Sequence, residues 1–270
     1  MNDKRHPNFD VLFAALAEFD SNARTDVSCR WDELGVDITE SETKEVLGSL
    51  LSRQAKLAID LVQQPGLWTA HSAPLFLRAM ADVHITLAWI LEHPKVRSRQ
   101  FIHYGLGQAK LDIEKRKTRL AASEHTEADE ESFVEFLESW VDSQRYAFLT
   151  EVNVGSWSGA STRQMAHDAG LHDYYDYVYV PFSACVHSTW QHVERLNTAM
   201  CDNPLHRFHR VPSIVDGGRD PHYSLLAAQY LDETLTMVDE AFDLHPSCST
   251  AYPGLIEAIA EYFSIPEDEV

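Results

Sequence analysis

The chain has 270 residues, of which 22 are Lys or Arg and 42 are Asp or Glu, so its formal net charge is -20. Hydrophobic residues make up 44% of the chain, which is typical of a globular protein and excludes a disordered one. The acidic balance excludes a protein that coats nucleic acid or an anionic membrane over a broad surface, because phosphate groups attract Lys and Arg. It does not exclude a local basic patch.

The spacing of apolar residues predicts helices throughout and no strands, so we expect an all-α protein with about eight helices in a bundle. We expect one N-terminal helix and a loop over residues 1–40, followed by a helical-bundle domain over residues 41–270. In chain order, the predicted helices span residues 7–20, 39–64, 74–93, 96–123, 125–152, 161–170, 172–197, 221–244 and 252–263.

The sequence predicts a loop, a buried helix and a helix irregularity in three of its segments. Residues 22–37 contain several charged side chains with little periodicity, which predicts a loop. The helix over residues 74–93 is apolar on nearly all sides, which indicates a central, buried helix. Pro181 lies inside the segment 172–197, where it should kink the helix or mark its true start.

The cysteines at positions 29, 185, 201 and 248 have long, irregular spacings without a Cys-x-x-Cys pair. This spacing favours reduced thiols in a cytoplasmic protein over a disulfide framework. No apolar run reaches the roughly 20 residues that a membrane-spanning helix needs, so we expect no membrane contact.

Charge is distributed unevenly along the chain. Residues 231–270 contain ten acidic residues and no Lys or Arg. One predicted helix carries eight basic residues, namely Lys95, Arg97, Arg99, Lys110, Lys115, Arg116, Lys117 and Arg119. These regions are either two solvated faces that pair in a homodimer, or a phosphate-binding strip beside a repelling surface.

Two sets of polar residues are candidates for a functional site. Arg78 and Asp82 lie four residues apart on the most apolar helix, where charged groups are costly unless paired. They form either an ion pair that satisfies itself or a polar anchor beneath a site. Tyr175, Tyr179, Ser183 and His187 are also spaced by four and form a stripe that drifts by about 40° per step on a helix. A hydroxyl one turn before an imidazole can hold its tautomer or be deprotonated by it. The alternative is a hydrogen-bonded core histidine, which a lone His usually is, but a stripe of four such residues weakens that alternative.

The sequence lacks recognisable metal, cofactor and nucleotide motifs, so we expect no metal and no cofactor. His206 and His209 are three residues apart, but they lie in a predicted loop flanked by Arg207 and Arg210, and this positive charge disfavours a cation.

Two segments resemble the bacterial domain-of-unknown-function family 5677. The segment from Leu77 to Leu91 resembles its first motif, an Arg followed four residues later by an acid on an apolar helix. Trp157, residues 161–171 and the segment from Tyr175 to His187 resemble its second motif. The resemblance covers roughly residues 45 to 245. The chain departs from the pattern by carrying Asp82 where the family has Glu, and by its Pro181.

The family is similar in helical layout to the HEPN superfamily (higher eukaryotes and prokaryotes nucleotide-binding), and this similarity implies a metal-independent endoribonuclease or toxin of a bacterial defence or stress system. The catalytic residues would be an Arg and a His separated by four to six residues at a dimer interface. Arg78 and His84 are the best placed pair with this spacing. Composition alone gives roughly two such pairs and the chain has three, so the spacing carries little weight.

In the ribonuclease hypothesis, His187 or His84 is the general base on a ribose 2′-OH, and Arg78 stabilises charge on the phosphate. Asp82 would hold Arg78, while Ser183 and Tyr179 would orient the imidazole. The residues that would guide the RNA backbone are Arg97, Arg99, Lys115 and Arg119.

Two other functions are compatible with the same residues. The first is a non-enzymatic sensor or antitoxin-like module that binds a protein partner encoded in a defence operon. Its polar residues would be internal struts, and its acidic surface would cover a basic partner. The second is a small-molecule enzyme with a Tyr/Ser/His pocket.

Overall fold

A computed structural model of the chain describes residues 9–35, 40–122, 128–144, 157–214, 217–248 and 250–264. Most of these residues are helical, which confirms the all-α prediction. The α-helices are α1 Phe9–Leu34, α2 Ser41–Val62, α3 Ala73–Glu92, α4 Pro94–Ala122, α5 Ala128–Ser143, α6 Thr162–Asp168, α7 His172–Tyr174, α8 Val180–Val186, α9 Trp190–Asn197, α10 His222–Phe242 and α11 Ala251–Ser264. A 3-10 turn at Pro65–Leu67 follows α2, and a π-helical turn at Tyr175–Tyr179 precedes α8.

The prediction of no strands is wrong at one place. Strands β1 Thr198–Met200 and β2 Arg210–Pro212 pair antiparallel, with Ala199 opposite Val211. Each strand has only three residues, which is too short for an alternating pattern to stand out from the sequence. The hairpin follows α9 directly, and β1 contacts that helix.

The core is organised around α3, which packs against α2, α10, α8 and α6. Leu77, Met80, Ile85 and Leu87 on this helix are completely buried, in agreement with the expected central helix. Within the described part of the chain, α3 is the one helix long and apolar enough to cross a membrane, and 67% of its most apolar window is buried inside the protein.

The prediction of a loop over residues 22–37 is wrong as far as Leu34, because α1 continues to that residue. The buried face of this half of α1 is formed by Phe19, Ala23, Asp26 and Arg30, at spacings of four, three and four. This spacing is helical, but two of the four residues are charged. A search for apolar periodicity therefore misses the helix.

The buried charges of α1 join three helices. Arg30 is 1% exposed and donates two hydrogen bonds to the carboxylate of Asp239 on α10, at 2.8 and 2.7 Å. Its third nitrogen donates to the carbonyl of Asp26 at 2.9 Å. The Asp26 carboxylate in turn accepts from the backbone N–H groups of Thr250 and Ala251, where α11 begins. A bidentate pair of this kind fixes orientation as well as distance.

Cys29 on α1 and Cys248, just before α11, form a disulfide bond. The expectation of four reduced thiols is therefore wrong for this pair, whereas Cys185 and Cys201 are free. A separation of 219 residues gave no hint of this pairing, since it depends on the packing of α1 against α11.

We predict that Arg30→Ala lowers the free energy of unfolding by about 3–5 kcal/mol, because it leaves the partly buried Asp239 carboxylate without its partner. Urea denaturation monitored by circular dichroism measures this loss. Arg24→Ala is the matched control, since Arg24 makes an exposed pair with Asp20 on the same helix and its loss should cost less than about 1 kcal/mol. Equal losses in the two variants would contradict the structural role of Arg30.

Candidate functional site

Arg78 on α3 lies at the centre of a polar cluster with the π-helical turn and α8. Its Nε donates to Ser183 Oγ at 3.1 Å, one terminal nitrogen donates to Asp82, and the other donates to the hydroxyl of Tyr179. The guanidinium carbon also lies 3.4 Å from the centroid of the Tyr179 ring, as in a cation–π contact. Four of the six catalytic candidates from the sequence therefore come together. We call these four residues the Arg78 cluster.

The Arg78 cluster is closed on one side and open on the other. Arg78 and Tyr179 are each 8% exposed, whereas the side chain of Asp82 is 47% exposed. Partial burial raises the pKa of the Asp82 carboxyl, and the charge and hydrogen bond of Arg78 oppose that rise. The carboxylate is thus the only member of the cluster with a large share of its surface in solvent.

The π-helical turn at Tyr175–Tyr179 brings the tyrosines into position. The N–H of Val180 donates to the carbonyl of Tyr175, five residues earlier. Pro181 has no N–H and lies in the first turn of α8, so it marks the true start of that helix, one of the two expected outcomes. The wider turn stacks the rings of Tyr175 and Tyr179 with their centroids 4.8 Å apart.

His187 does not join the Arg78 cluster. It caps the C-terminus of α8, its side chain is exposed, and Ser188 after it has a φ of 48°, which turns the chain away. Its backbone N–H donates to the carbonyl of Ser183, but no hydrogen bond joins its imidazole to the Arg78 cluster within the described residues. The hydroxyls of Ser183 and Tyr179 contact Arg78 instead of an imidazole.

His84 lies on another face of α3, which α10 covers. Its Nδ1 is 2.9 Å from Thr234 Oγ1, and its ring stacks on Tyr174 at 4.5 Å. Thr234 already donates its proton to the carbonyl of Tyr230 at 2.7 Å and accepts from Gln54 at 2.9 Å. We therefore assign the proton of the neutral imidazole to Nδ1. Burial lowers the pKa of His84 to about 4.

The basic strip that the sequence suggested is largely neutralised by acidic neighbours. Arg97 also stacks on Trp89, with its guanidinium carbon 3.7 Å from the ring centroid, while Lys115 is exposed. The acidic partners of Arg97, Arg99 and Arg119 are Glu92 at 2.7 Å, Glu42 at 2.8 Å and Glu130 at 3.3 Å. These pairs reduce the charge that the strip offers to a phosphate backbone.

A cleft next to the Arg78 cluster was not foreseen from the sequence. It has a volume of about 170 Å³ and lies between α6, α7 and the π-helical turn. Its lining includes Arg163, His167, His172, Tyr175 and Asp176. The rings of His167 and His172 are 4.3 Å apart. Their spacing of five residues across a helix end is not a recognised motif, so the sequence carried no signal for this pair.

The fold and the Arg78 cluster define an all-α protein whose central helix holds a buried arginine, with a hydrogen-bond acceptor at each of its three nitrogens. The model of the family of unknown function DUF5677 matches residues 44–204, and the chain belongs to this family. This match confirms the resemblance that the two sequence motifs suggested. No curated protein and no solved structure significantly matches the chain.

We predict that acid weakens the fold through His84. Its pKa is lower in the folded protein than in the unfolded chain, where it is near 6.5, so the unfolded chain binds the extra proton first. Stability is therefore lost as the pH falls from about 6.5 towards about 4, and the loss from this group between pH 7 and pH 5 is about 2 kcal/mol.

Urea denaturation at a series of pH values measures this dependence. His84→Gln should flatten the curve over that range, whereas His187→Gln, at an exposed site, should leave its slope unchanged. An unaltered slope in the His84 variant would refute the assignment.

Proposed function

We propose that the chain is a non-enzymatic helical interaction module, acting as a sensor or antitoxin-like partner in a bacterial defence or stress system. In this proposal the Arg78 cluster is an internal strut that fastens α8 to α3. The observation that carries the proposal is that all three nitrogens of Arg78 donate hydrogen bonds within the protein, while a tyrosine ring covers one face of the guanidinium. Because Arg78 is also only 8% exposed, a phosphate could approach its guanidinium only if some of these partners moved.

The positions of the two candidate bases also favour a structural role. His84 is 5% exposed, and its Nδ1 side is engaged by Thr234, so a ribose hydroxyl could reach it only after local opening. His187 is accessible, but within the described residues it has no hydrogen bond to the arginine that would stabilise the phosphate. General acid–base catalysis needs these groups within hydrogen-bond reach of one substrate.

An aromatic face on α5 is the surface that we propose for the partner. Phe133, Phe136 and Trp140 are each more than two-fifths exposed, and the two phenylalanine rings stack with centroids 6.4 Å apart. Several exposed aromatic side chains on one face of a helix are typical of interaction sites. The same helix carries six acidic residues, of which Glu130 and Glu138 already pair with Arg119 and Lys117 on α4. The other four are Asp129, Glu131, Glu135 and Asp142. This combination favours a basic, amphipathic partner helix. The apolar face of such a helix would pack on the aromatic rings, and its basic side chains would pair with the acidic residues.

We predict that Arg78→Met lowers the free energy of unfolding by about 2–3 kcal/mol, because charge-assisted hydrogen bonds to Ser183 and Tyr179 are lost. His187→Ala should change it by less than about 0.5 kcal/mol, since the side chain is exposed. Both values come from urea denaturation. A strut role would be contradicted if Arg78→Met left stability unchanged.

Peptide binding tests the partner surface. A labelled amphipathic helix of Leu and Lys should bind the wild-type chain in a fluorescence anisotropy titration, and Phe136→Ser should weaken that binding about tenfold while preserving protein charge. A peptide with the same lysines and Ser in place of Leu is the control for simple charge attraction. Equal binding of both peptides, or no effect of Phe136→Ser, would count against this face.

A metal-independent ribonuclease is the second candidate, favoured by the convergence of Arg78 with Ser183 and Tyr179 beside the half-exposed Asp82. The discriminating experiment incubates RNA in EDTA with the wild type, Arg78→Met, His84→Gln and His187→Ala. The interaction module predicts no cleavage above a protein-free control. Cleavage by the wild type that is lost in Arg78→Met and in one histidine variant, each shown to be folded, would replace the first proposal with the second.

A further inference from the structure

The β1–β2 hairpin brings together three potential metal ligands that lie outside the Arg78 cluster. The thiol of Cys201 and the imidazoles of His206 and His209 have ligand atoms that all lie within 4.8 Å of one another. Cys201 Sγ is 3.6 Å from His206 Nδ1. Two ligands at ordinary zinc–sulfur and zinc–nitrogen distances in a tetrahedral arrangement are roughly 3.5 Å apart. The observed pair thus already has the separation that a tetrahedral ion requires.

The backbone holds this arrangement without help from a metal. The N–H of Cys201 donates to the carbonyl of His209 at 2.9 Å, which closes the loop at the end of the paired strands. Within the loop, the N–H of His206 donates to Asn203 and the N–H of His209 donates to His206, at 2.9 and 3.0 Å. Phe208 has a φ of 66°, the left-handed conformation that turns the chain between the two histidines. Two consecutive turns therefore direct the ligands to one point.

We propose that Cys201, His206 and His209 bind a Zn²⁺ ion, with water in the fourth position. One thiolate and two imidazoles are a typical donor set for zinc, which prefers sulfur and nitrogen ligands in a tetrahedron. Binding releases the thiol proton of Cys201 to solvent, because the thiolate is the ligand. The ion ties the end of the hairpin together, and this role is independent of the proposed function of the Arg78 cluster.

The flanking arginines, which argued against a cation at the sequence level, are directed elsewhere. Arg210 forms an ion pair with Glu194 on α9. The guanidinium carbon of Arg207 lies 5.0 Å from the ring centroid of Phe208. One of the two positive charges is thus compensated by a carboxylate, and the thiolate that forms on metal binding offsets one of the two charges of the ion.

Asn203 contacts one of the proposed ligands, so a substitution at this position tests the site directly. Its side-chain nitrogen lies 3.1 Å from His206 Nε2, while its oxygen accepts from the N–H of Leu205 at 3.0 Å. In this arrangement Nε2 is an acceptor, so the ring proton is on Nδ1, facing Cys201. Metal binding at Nδ1 moves the proton to Nε2, which then needs an acceptor instead of a donor.

Asn203→Asp supplies that acceptor. One carboxylate oxygen can keep the Leu205 hydrogen bond while the other accepts from Nε2–H, and this completes a carboxylate–histidine–zinc arrangement. We expect the substitution to tighten Zn²⁺ binding by about tenfold. A merely adventitious histidine pair would not respond in this way, because it does not require Nδ1 of His206 as the ligand.

The test is a titration of the full chain, metal-free and under argon, with Co²⁺ as a spectroscopic probe and then with Zn²⁺ in competition. We expect one ion per chain, a thiolate-to-cobalt charge-transfer band, and displacement of the Co²⁺ by Zn²⁺. Cys201→Ser should abolish the band, and His209→Gln should weaken binding by about tenfold or more. Circular dichroism and urea denaturation verify that the variants stay folded.

Cys185→Ser is the matched control, because Cys185 is the other free thiol and its Sγ is 3.5 Å from the carbonyl of His71, near a second histidine pair. This variant should bind Co²⁺ as the wild type does. The proposal is overturned if the wild type shows no charge-transfer band, if the band survives Cys201→Ser, or if Asn203→Asp leaves the affinity unchanged or lower.

Discussion

A guanidinium group carries its charge at any physiological pH, so an arginine inside a protein must find hydrogen-bond acceptors in the protein itself. Among the residues that the structure describes, Arg30 and Arg78 are the buried arginines. Arg78 on α3 takes its acceptors from α3 itself, the π-helical turn and α8. Arg30 on α1 takes its acceptors from α1 itself, α10 and the segment before α11. The two arginines thereby fix how the later helices attach to the earlier ones, which apolar contacts alone would specify less sharply.

The helices were predictable where apolar residues make up most of the buried face, as on α3 and α10. The second half of α1 was not, because Asp26 and Arg30 replace apolar residues on its buried side. The same charges become favourable only when Asp239 and the start of α11 are in place, more than 200 residues further on. Sequence periodicity reports local burial, and it cannot report a polar pair whose partner is distant in the chain.

The candidate site shows the same division between local and distant information. A spacing of four correctly placed Asp82 beside Arg78, since both are on one regular helix. It also placed Tyr179, at the end of the π-helical turn, and Ser183 on α8 on one side of this helical segment, and both reach Arg78. The stripe ended before His187 because α8 stops at Val186. A repeat of four describes only an uninterrupted helix, and Pro181 with the π-helical turn limits this one to two turns.

The extent of the family match separates the two polar groups on α3, Arg78 and His84. Residues 44–204 include α3 and α8, so the Arg78 cluster is built entirely within the matched segment. The contact of His84 with Thr234 needs α10, which lies beyond it. The matched segment therefore contains Arg78 and its hydroxyl partners, whereas the hydrogen-bond partner of His84 lies on a helix outside the match. An activity that used both residues would have to draw on both parts of the chain, whereas a strut between α3 and α8 needs only the first.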